Sequence, residues 1–401
     1  MRRVFFLAAV CLAAASFACG SDGDGAEDAA GFDPLRAKAD IEHLADTIGP
    51  RAAGSEANVT AAEYITQGIA NPSFGVFRQK FTFESDSNRA ATVRLDGTAL
   101  PAATAGGSAA GSASGVAVDV GTGAAITPGS IAGKVAVATR GGSSFREKYE
   151  AVRAGGAAAL IVVNNEPGEL IANLGTTARF PVVTMAGSDA APLLAAAAGA
   201  TVTVDVPPAQ VSDGTNVVAR SVSAHACVFL LVANFDSLPG SAGANDNASG
   251  VAVLMELSRQ FALRDEVPAV CFVATDAGFA GSLGAEKYAS SVNFSSLPAV
   301  VVTVRAIGKG DRLTVYGDAT LAGDAEAIAE ELDIDLAYGG ATPPSRGEGE
   351  PFRALGIQVL DIVGTTDNGR DDPSSAIVPE RVAAAGRIAG ELMARLSAVA
   401  D

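Results

Sequence analysis

Three aspartates follow stretches of strand-type residues: Asp236 comes just after 228–233, Asp246 lies in the next loop, and Asp276 comes just after 269–274. Carboxylates gathered at the C-terminal edge of a sheet are suited to holding a divalent cation or to proton transfer. Zinc chemistry would also call for imidazole, and here the sequence is sparse. Its two histidines are His43, in a first helical stretch, and His225, ahead of the strand that ends at Asn234. Each reads as an ordinary surface or core residue. A serine–histidine–aspartate mechanism would need one of them beside a serine, and no Gly-x-Ser-x-Gly elbow is present. Cys227 and Cys271, without a suitable histidine, do not make a zinc site.

The elements that must position these carboxylates can be read from spacing. Residues 228–233 form a short apolar run, followed by a turn rich in Gly and Pro, and 249–261 has helical spacing (Val251, Leu254, Met255, Leu257, Ser258, Phe261). Upstream, Asp33-Pro34 caps a helix over 33–48, a turn occupies 49–56, a helix follows at 61–69 and a strand at 76–83. Residues 85–208 change texture to short β-like segments rich in Gly, Ala and Val. Strands at 269–274 and 299–304, a hairpin-like 312–316, and helices at 324–332 and 379–396 complete the chain. Strands alternating with helices predict an α/β fold with a mostly parallel central sheet flanked by helices.

With 401 residues, 48% hydrophobic and 18% charged, the chain has room for about two domains and a substantial core. A net charge of −17 argues against nucleic acid or an anionic membrane surface as partner. Met1-Arg2-Arg3 followed by apolar 4–18 is a secretory signal pattern. Cys19 then opens an acidic Gly/Ser tether over 19–32. This resembles a bacterial lipoprotein signal with Cys19 as the lipidated residue, while Ser16-Phe17-Ala18 leaves ordinary cleavage and soluble export as the alternative. In an exported chain Cys227 and Cys271 form either a disulfide or two buried thiols.

The loop Gly243-Ala244-Asn245-Asp246-Asn247-Ala248-Ser249-Gly250 resembles the Gly-Ala-x-Asp-Asn-x-Ser-Gly segment of M28 zinc peptidases. Gly49-Pro50-Arg51-Ala52-Ala53-Gly54-Ser55 is similar to a turn near the start of that family's domain. Residues 280–284 with Tyr288 are similar to a stretch after its paired glutamates. Within 85–208, residues 133–141, Phe145 to Lys148, 159–165 and 180–185 resemble a β-rich protease-associated (PA) domain, with an unrelated α/β insertion as the alternative. The resemblance implies an M28-like domain split into 33–84 and 209–401 around a PA-like insert at 85–208.

It also implies two zinc ions held by two histidines, a bridging aspartate, a glutamate and an aspartate, with a second glutamate as general base. Carried over by position, the first histidine is Asn234, with Asp236 next to it in support. The bridging aspartate is Asp246, the glutamate ligand is Asp276, and the general base is Thr275, which cannot take a proton at neutral pH. The next aspartate falls on Arg305. The last histidine falls on Asn368, or on Thr365 or Thr366, with Asp372 kept. A guanidinium about 4 Å from a dication costs about 8 kcal/mol at an effective dielectric constant near 20. The expectation is therefore no confident catalytic residue and no cofactor. Asp246 and Asp276 remain the only candidate ligands, and two zinc ions are expected only if the site functions after all.

Arg305 is the one new cation in the set, and it is expected to bridge Asp246 and Asp276; the alternative is that it turns outward. Three functions compete. The first is an exported, inactive M28-like binding or scaffold module for an unknown peptide or protein, touching a membrane only through Cys19. The second is a metal-dependent exopeptidase with a degenerate site, and the third a hydrolase of another mechanism.

Overall fold

The structure, a computed structural model, describes residues 31–400 apart from 86–89, 167, 169, 171, 175, 197–198, 224–226, 265–266, 268, 293–297, 345–346 and 366–371. The expected signal segment 1–18, Cys19, most of the expected tether, His225, Thr366 and Asn368 lie outside the described residues.

Helix α1 (Pro34–Glu42) begins as its sequence requires. The Asp33 carboxylate accepts from the amides of Leu35 and Arg36, and Pro34 takes the first helical position, where no amide hydrogen is needed. Helix α2 (Glu56–Ile69) starts earlier than expected because Ser55 caps it through the Asn58 amide. Strand β1 (Phe74–Ser85) leads into seven strands that close into a barrel: β2 (Ala90–Leu95), β3 (Thr98–Thr104), β4 (Gly111–Asp119), β5 (Val135–Thr139), β6 (Ala159–Val163), β7 (Val182–Met185) and β8 (Thr201–Val206). Helices α3 (Phe145–Ala154) and α4 (Gly187–Ala195) belong to this stretch. Strand β9 (Gln210–Ser221) then returns antiparallel along the whole of β1, from Ser85 opposite Gln210 to Phe74 opposite Ser221.

The rest of the chain adds β10 (Phe229–Asn234), helix α5 (Ser249–Ala262), β11 (Val270–Thr275), α6 (Leu283–Ser291), β12 (Val300–Arg305), β13 (Leu313–Gly317), α7 (Ala319–Glu331), β14 (Leu336–Gly340), α8 (Glu350–Ala354), β15 (Gln358–Val363) and α9 (Pro379–Ala400). The eight-stranded sheet has the order β1-β9-β11-β10-β12-β15-β13-β14, and its centre β11-β10-β12-β15 is parallel. The expected hairpin at 312–316 does not form. Its residues make β13, which runs antiparallel to β15 and parallel to β14.

Strands β10 and β11 are buried along their whole length, as parallel strands covered on both faces are. Helix α5 is buried from Ser249 to Ser258 and packs on the sheet beneath α1 and α9. Gly250 permits that approach: a Cβ there would stand 2.4 Å from the Val304 carbonyl oxygen. Cys227 and Cys271 are joined by a disulfide with a Cα separation of 5.5 Å, which settles the choice between bridge and free thiols.

Candidate functional site

Asn234, Thr275 and Arg305 end the adjacent parallel strands β10, β11 and β12, so their side chains meet at one edge of the sheet. The loop 243–248 crosses that edge and is fixed at many points. Asn247 Nδ2 donates to Asn234 Oδ1 (3.2 Å) and to the Val304 carbonyl (3.0 Å), and its Oδ1 accepts from the amides of Gly250 and Ala306. Asn245 Oδ1 accepts from Gly308 N at 2.8 Å, and its Nδ2 donates to the Thr365 carbonyl at 2.7 Å. One Asp372 oxygen accepts from both Asn245 N and Asp246 N (2.8 and 2.9 Å), while the other pairs with Lys309 Nζ at 2.8 Å. Arg51 is fully buried and ties the start of the loop through the carbonyls of Phe235 (2.6 Å), Ala242 (2.5 Å) and Gly243 (2.7 Å). Burial pushes its guanidinium down to about 10, against the pull of Asp236, Asp372 and Asp246.

This frame presents Asp246 to Arg305. The guanidinium donates through Nε to Asp246 Oδ1 (3.2 Å) and through Nη2 to Oδ2 (3.1 Å), with its Cζ 5.9 Å from the Phe279 ring centre. Asp246 is the main cause that holds the guanidinium above its usual range. The expected bridge to Asp276 is not formed. Asp276 turns to the other side of β11, where Asn58 Nδ2 (3.0 Å), Ala277 N (2.7 Å) and Thr215 N (3.0 Å) occupy its oxygens. Burial, then the charge of Asp236, pushes its carboxyl up to about 7.

Asp236 is also turned to structural work. It accepts from Asn234 Nδ2 (3.1 Å), Gly278 N (2.9 Å) and Phe279 N (3.1 Å), and burial raises its pKa. Gly278 is required there, since a Cβ would meet the Asn234 side chain at 2.6 Å. Thr275, at the expected general-base position, donates its hydroxyl to Glu348 Oε2 at 2.5 Å. Burial pushes Glu348 up to about 7, with Asp236 adding to the rise; Thr275, Ser282 and Arg305 oppose it.

Residues 216–389 match peptidase family M28, and residues 95–194 match the PA domain. The chain is an M28 peptidase-like protein with an inserted PA domain. It is 28% identical over 281 residues to the aminopeptidase YwaD of Bacillus subtilis, covering 66% of this chain and 60% of that relative. It is 28% identical over 271 residues to the probable lipoprotein aminopeptidase LpqL of Mycobacterium tuberculosis, covering 63% and 54%. The matched stretch thus spans less than two thirds of either relative. Among solved structures, BSAP, a zinc aminopeptidase from Bacillus subtilis, superposes with a TM-score of 0.79 at 23% identity, over 91% of this chain and 95% of that one. The sheet and the seven-stranded barrel are therefore those of an M28-like fold and its PA domain.

The residues of this M28-like site do not fit a two-zinc centre. Both Asp246 oxygens face a guanidinium, both polar atoms of the Asn234 amide are spent on Asp236 and Asn247, and Asp276 faces away. His43 stacks on Tyr64, 4.1 Å between ring centres, beside α1. No group of three or more His, Cys, Asp and Glu able to hold a metal ion occurs among the described residues.

Sequence reasoning missed Glu348, Phe279 and the role of Arg51. Glu348 sits two residues before Glu350 in a Gly-Glu-Gly-Glu run, and nothing local separates the buried acid from the half-buried one there. Arg51 was visible as part of a motif turn, but the carbonyls of Phe235, Ala242 and Gly243 that it holds lie 184 to 192 residues away.

Proposed function

We propose that this protein is an exported M28-like binding module that has lost zinc peptidase chemistry and holds a peptide or protein ligand in the inherited cleft. The bidentate Arg305–Asp246 pair carries this reading, because it puts a fixed cation where a metal-dependent hydrolase needs a dication. Thr275 in the general-base position adds to it, as a hydroxyl cannot accept a proton from water at neutral pH. The N-terminal pattern and the likeness to a relative named a lipoprotein aminopeptidase support export with a lipid anchor at Cys19. No helix among the described residues is long and apolar enough to cross a membrane.

The alternative is a metal-dependent exopeptidase with an altered site, and it is favoured by relatives that carry the name aminopeptidase. One assay separates the two. The purified mature chain is incubated with aminoacyl-p-nitroanilides, with and without added Zn2+. The binding reading expects no turnover above the blank under either condition. Metal-dependent turnover that Asp246→Ala abolishes would establish the exopeptidase.

A further inference from the structure

Strand β1 is an edge of the eight-stranded sheet, and no strand among the described residues pairs with its outer side. The Ser73 carbonyl accepts from Val222 N, so in this register the odd-numbered residues of β1 bond to β9 and the even-numbered ones turn N–H and C=O outward. The outward backbone groups of Val76, Arg78 and Lys80 have no partner among the described residues. The pairing runs from Phe74 to Ser85 without a bulge or a proline, two of the devices that close such an edge.

Helix α6 covers one face of this edge only as far as Gln79, whose Nε2 donates to Ser291 Oγ at 2.9 Å. Beyond that contact Phe77 is 51% exposed and Val222 67%, and Gly75 leaves a notch of about 250 Å3 beside them. Arg220 lies opposite Gly75 in the ladder, lines the notch and is exposed. Its guanidinium has no ion pair among the described residues. On the other face of β1, Lys80 is exposed and Arg78 reaches Glu63 at 3.5 Å. Three cations thus flank an open strand edge in a chain of net charge −17.

We propose that this edge takes up an extended acidic segment of a partner protein as a ninth strand. One acidic side chain enters the notch at Gly75 to meet Arg220, an apolar one covers Phe77, and further acids lie beside Arg78 and Lys80. Main-chain bonds supply the affinity and alternate side chains the selection. Charge complementarity favours this occupant over a second copy. Pairing β1 with itself about residue 79 or 80 sets Arg78 against Lys80 or Lys80 against its own counterpart, and like charges directly opposite destabilise. Arg220 pairs with Cys271 near the start of β11, whereas Thr275 ends that strand at the cleft, so the proposal stands whatever the cleft holds.

The test is fluorescence anisotropy with a dye-tagged heptapeptide, Val-Glu-Thr-Glu-Leu-Val-Glu. Laid antiparallel from position 81 back to 75, it sets its Leu on Phe77, its last Glu at Gly75 and the other two at Arg78 and Lys80. Wild type should bind it with a Kd of about 1 mM or tighter, and the peptide with Lys for each Glu at least about tenfold more weakly. N-methylation of the two residues facing Arg78 and Lys80 removes main-chain donors and should cost at least about tenfold. Gly75→Val fills the notch, and a Cβ there comes no closer than 3.9 Å to its surroundings. That variant should keep the wild-type Tm and lose at least about tenfold in affinity. Arg220→Gln should erase the preference for Glu over Gln at the last peptide position.

Absence of binding by wild type, or binding that survives N-methylation, would overturn the proposal. So would binding that neither Gly75→Val nor Arg220→Gln weakens. Concentration-dependent dimerisation of wild type that Gly75→Val abolishes would also overturn it, by giving the edge to a second copy.

Discussion

Arg305 meets Asp246 side-on, with Nε and Nη2 each reaching one carboxylate oxygen, at 3.2 and 3.1 Å. Side-on bidentate geometry is specific to a planar guanidinium, so lysine could supply the charge there but not the paired hydrogen bonds. The two side chains are only 25% and 9% exposed, which places the pair well inside the regime where losing one partner is costly.

Asp246→Ala should therefore destabilise the protein by about 3–5 kcal/mol, because it strands Arg305 beside groups already paired elsewhere. Arg305→Ala should cost a similar amount, and the double variant less than the sum. Urea denaturation of the four proteins measures the coupling. Additive losses would mean that the pair does not act as a unit.

Glu348 and Asp276 both stand near pKa 7 because they are buried, well above the 4.5 and 3.8 of free carboxyls. The folded chain then holds protons that the unfolded chain gives up between about pH 4 and pH 7. Stability from these groups is fully present below the unfolded values and falls as pH rises through 7. The loss across that window is at most about 3 kcal/mol for Glu348 and about 4 kcal/mol for Asp276. Glu348→Gln, which keeps the acceptor for Thr275, should flatten its share of the slope. A pH series of denaturation midpoints checks this, and an unchanged slope would contradict it.

What the sequence disclosed was local. The Asp33–Pro34 cap and the strand, loop and helix spanning β10, 243–248 and α5 each depend on residues close together in the chain, and each formed as read. That Asn234 and Arg305, and no imidazole, stand at the ends of β10 and β12 was equally legible, since it is a matter of residue type at a position. Direction was not. Arg305 was expected to join Asp246 to Asp276, but Asp276 is claimed by Asn58 and by Thr215 N, 218 and 61 residues away. Glu348 stayed hidden for the same reason, its partner Thr275 being 73 residues distant. A carboxylate's orientation is set by whichever donors the fold delivers, and those come from elements that only the packed structure brings together.

Arg51 shows how much a single buried donor can hold. Its Nε and both Nη atoms end on carbonyls of 235, 242 and 243, with no carboxylate in direct contact. Arg51→Lys retains the charge and loses the fork, leaving at least two buried carbonyls unsatisfied at about 1–3 kcal/mol each. The variant should unfold at a denaturant midpoint well below wild type. Limited proteolysis should cut it first within 237–248. Wild-type resistance in that segment would mean that Asn245, Asn247 and Asp372 suffice to fix the loop.

The Cys227–Cys271 bridge ties a position two residues before β10 to β11 and closes a separation of 44 residues. Restricting an unfolded loop of that length is worth about 4 kcal/mol in the chain-entropy account, less any strain. Cys271 is fully buried and packs among Val218, Leu230 and Tyr288, so serine there would add an unsatisfied hydroxyl. Alanine at both positions is the cleaner probe. Cys227→Ala/Cys271→Ala should fold to the same structure with a loss of about 2–4 kcal/mol. Wild type treated with a reductant should approach that value from above, because its thiols still fill the space that alanine leaves empty. Equal denaturation midpoints for the oxidised protein and the double variant would show that the bridge adds nothing that packing of the strands does not already provide.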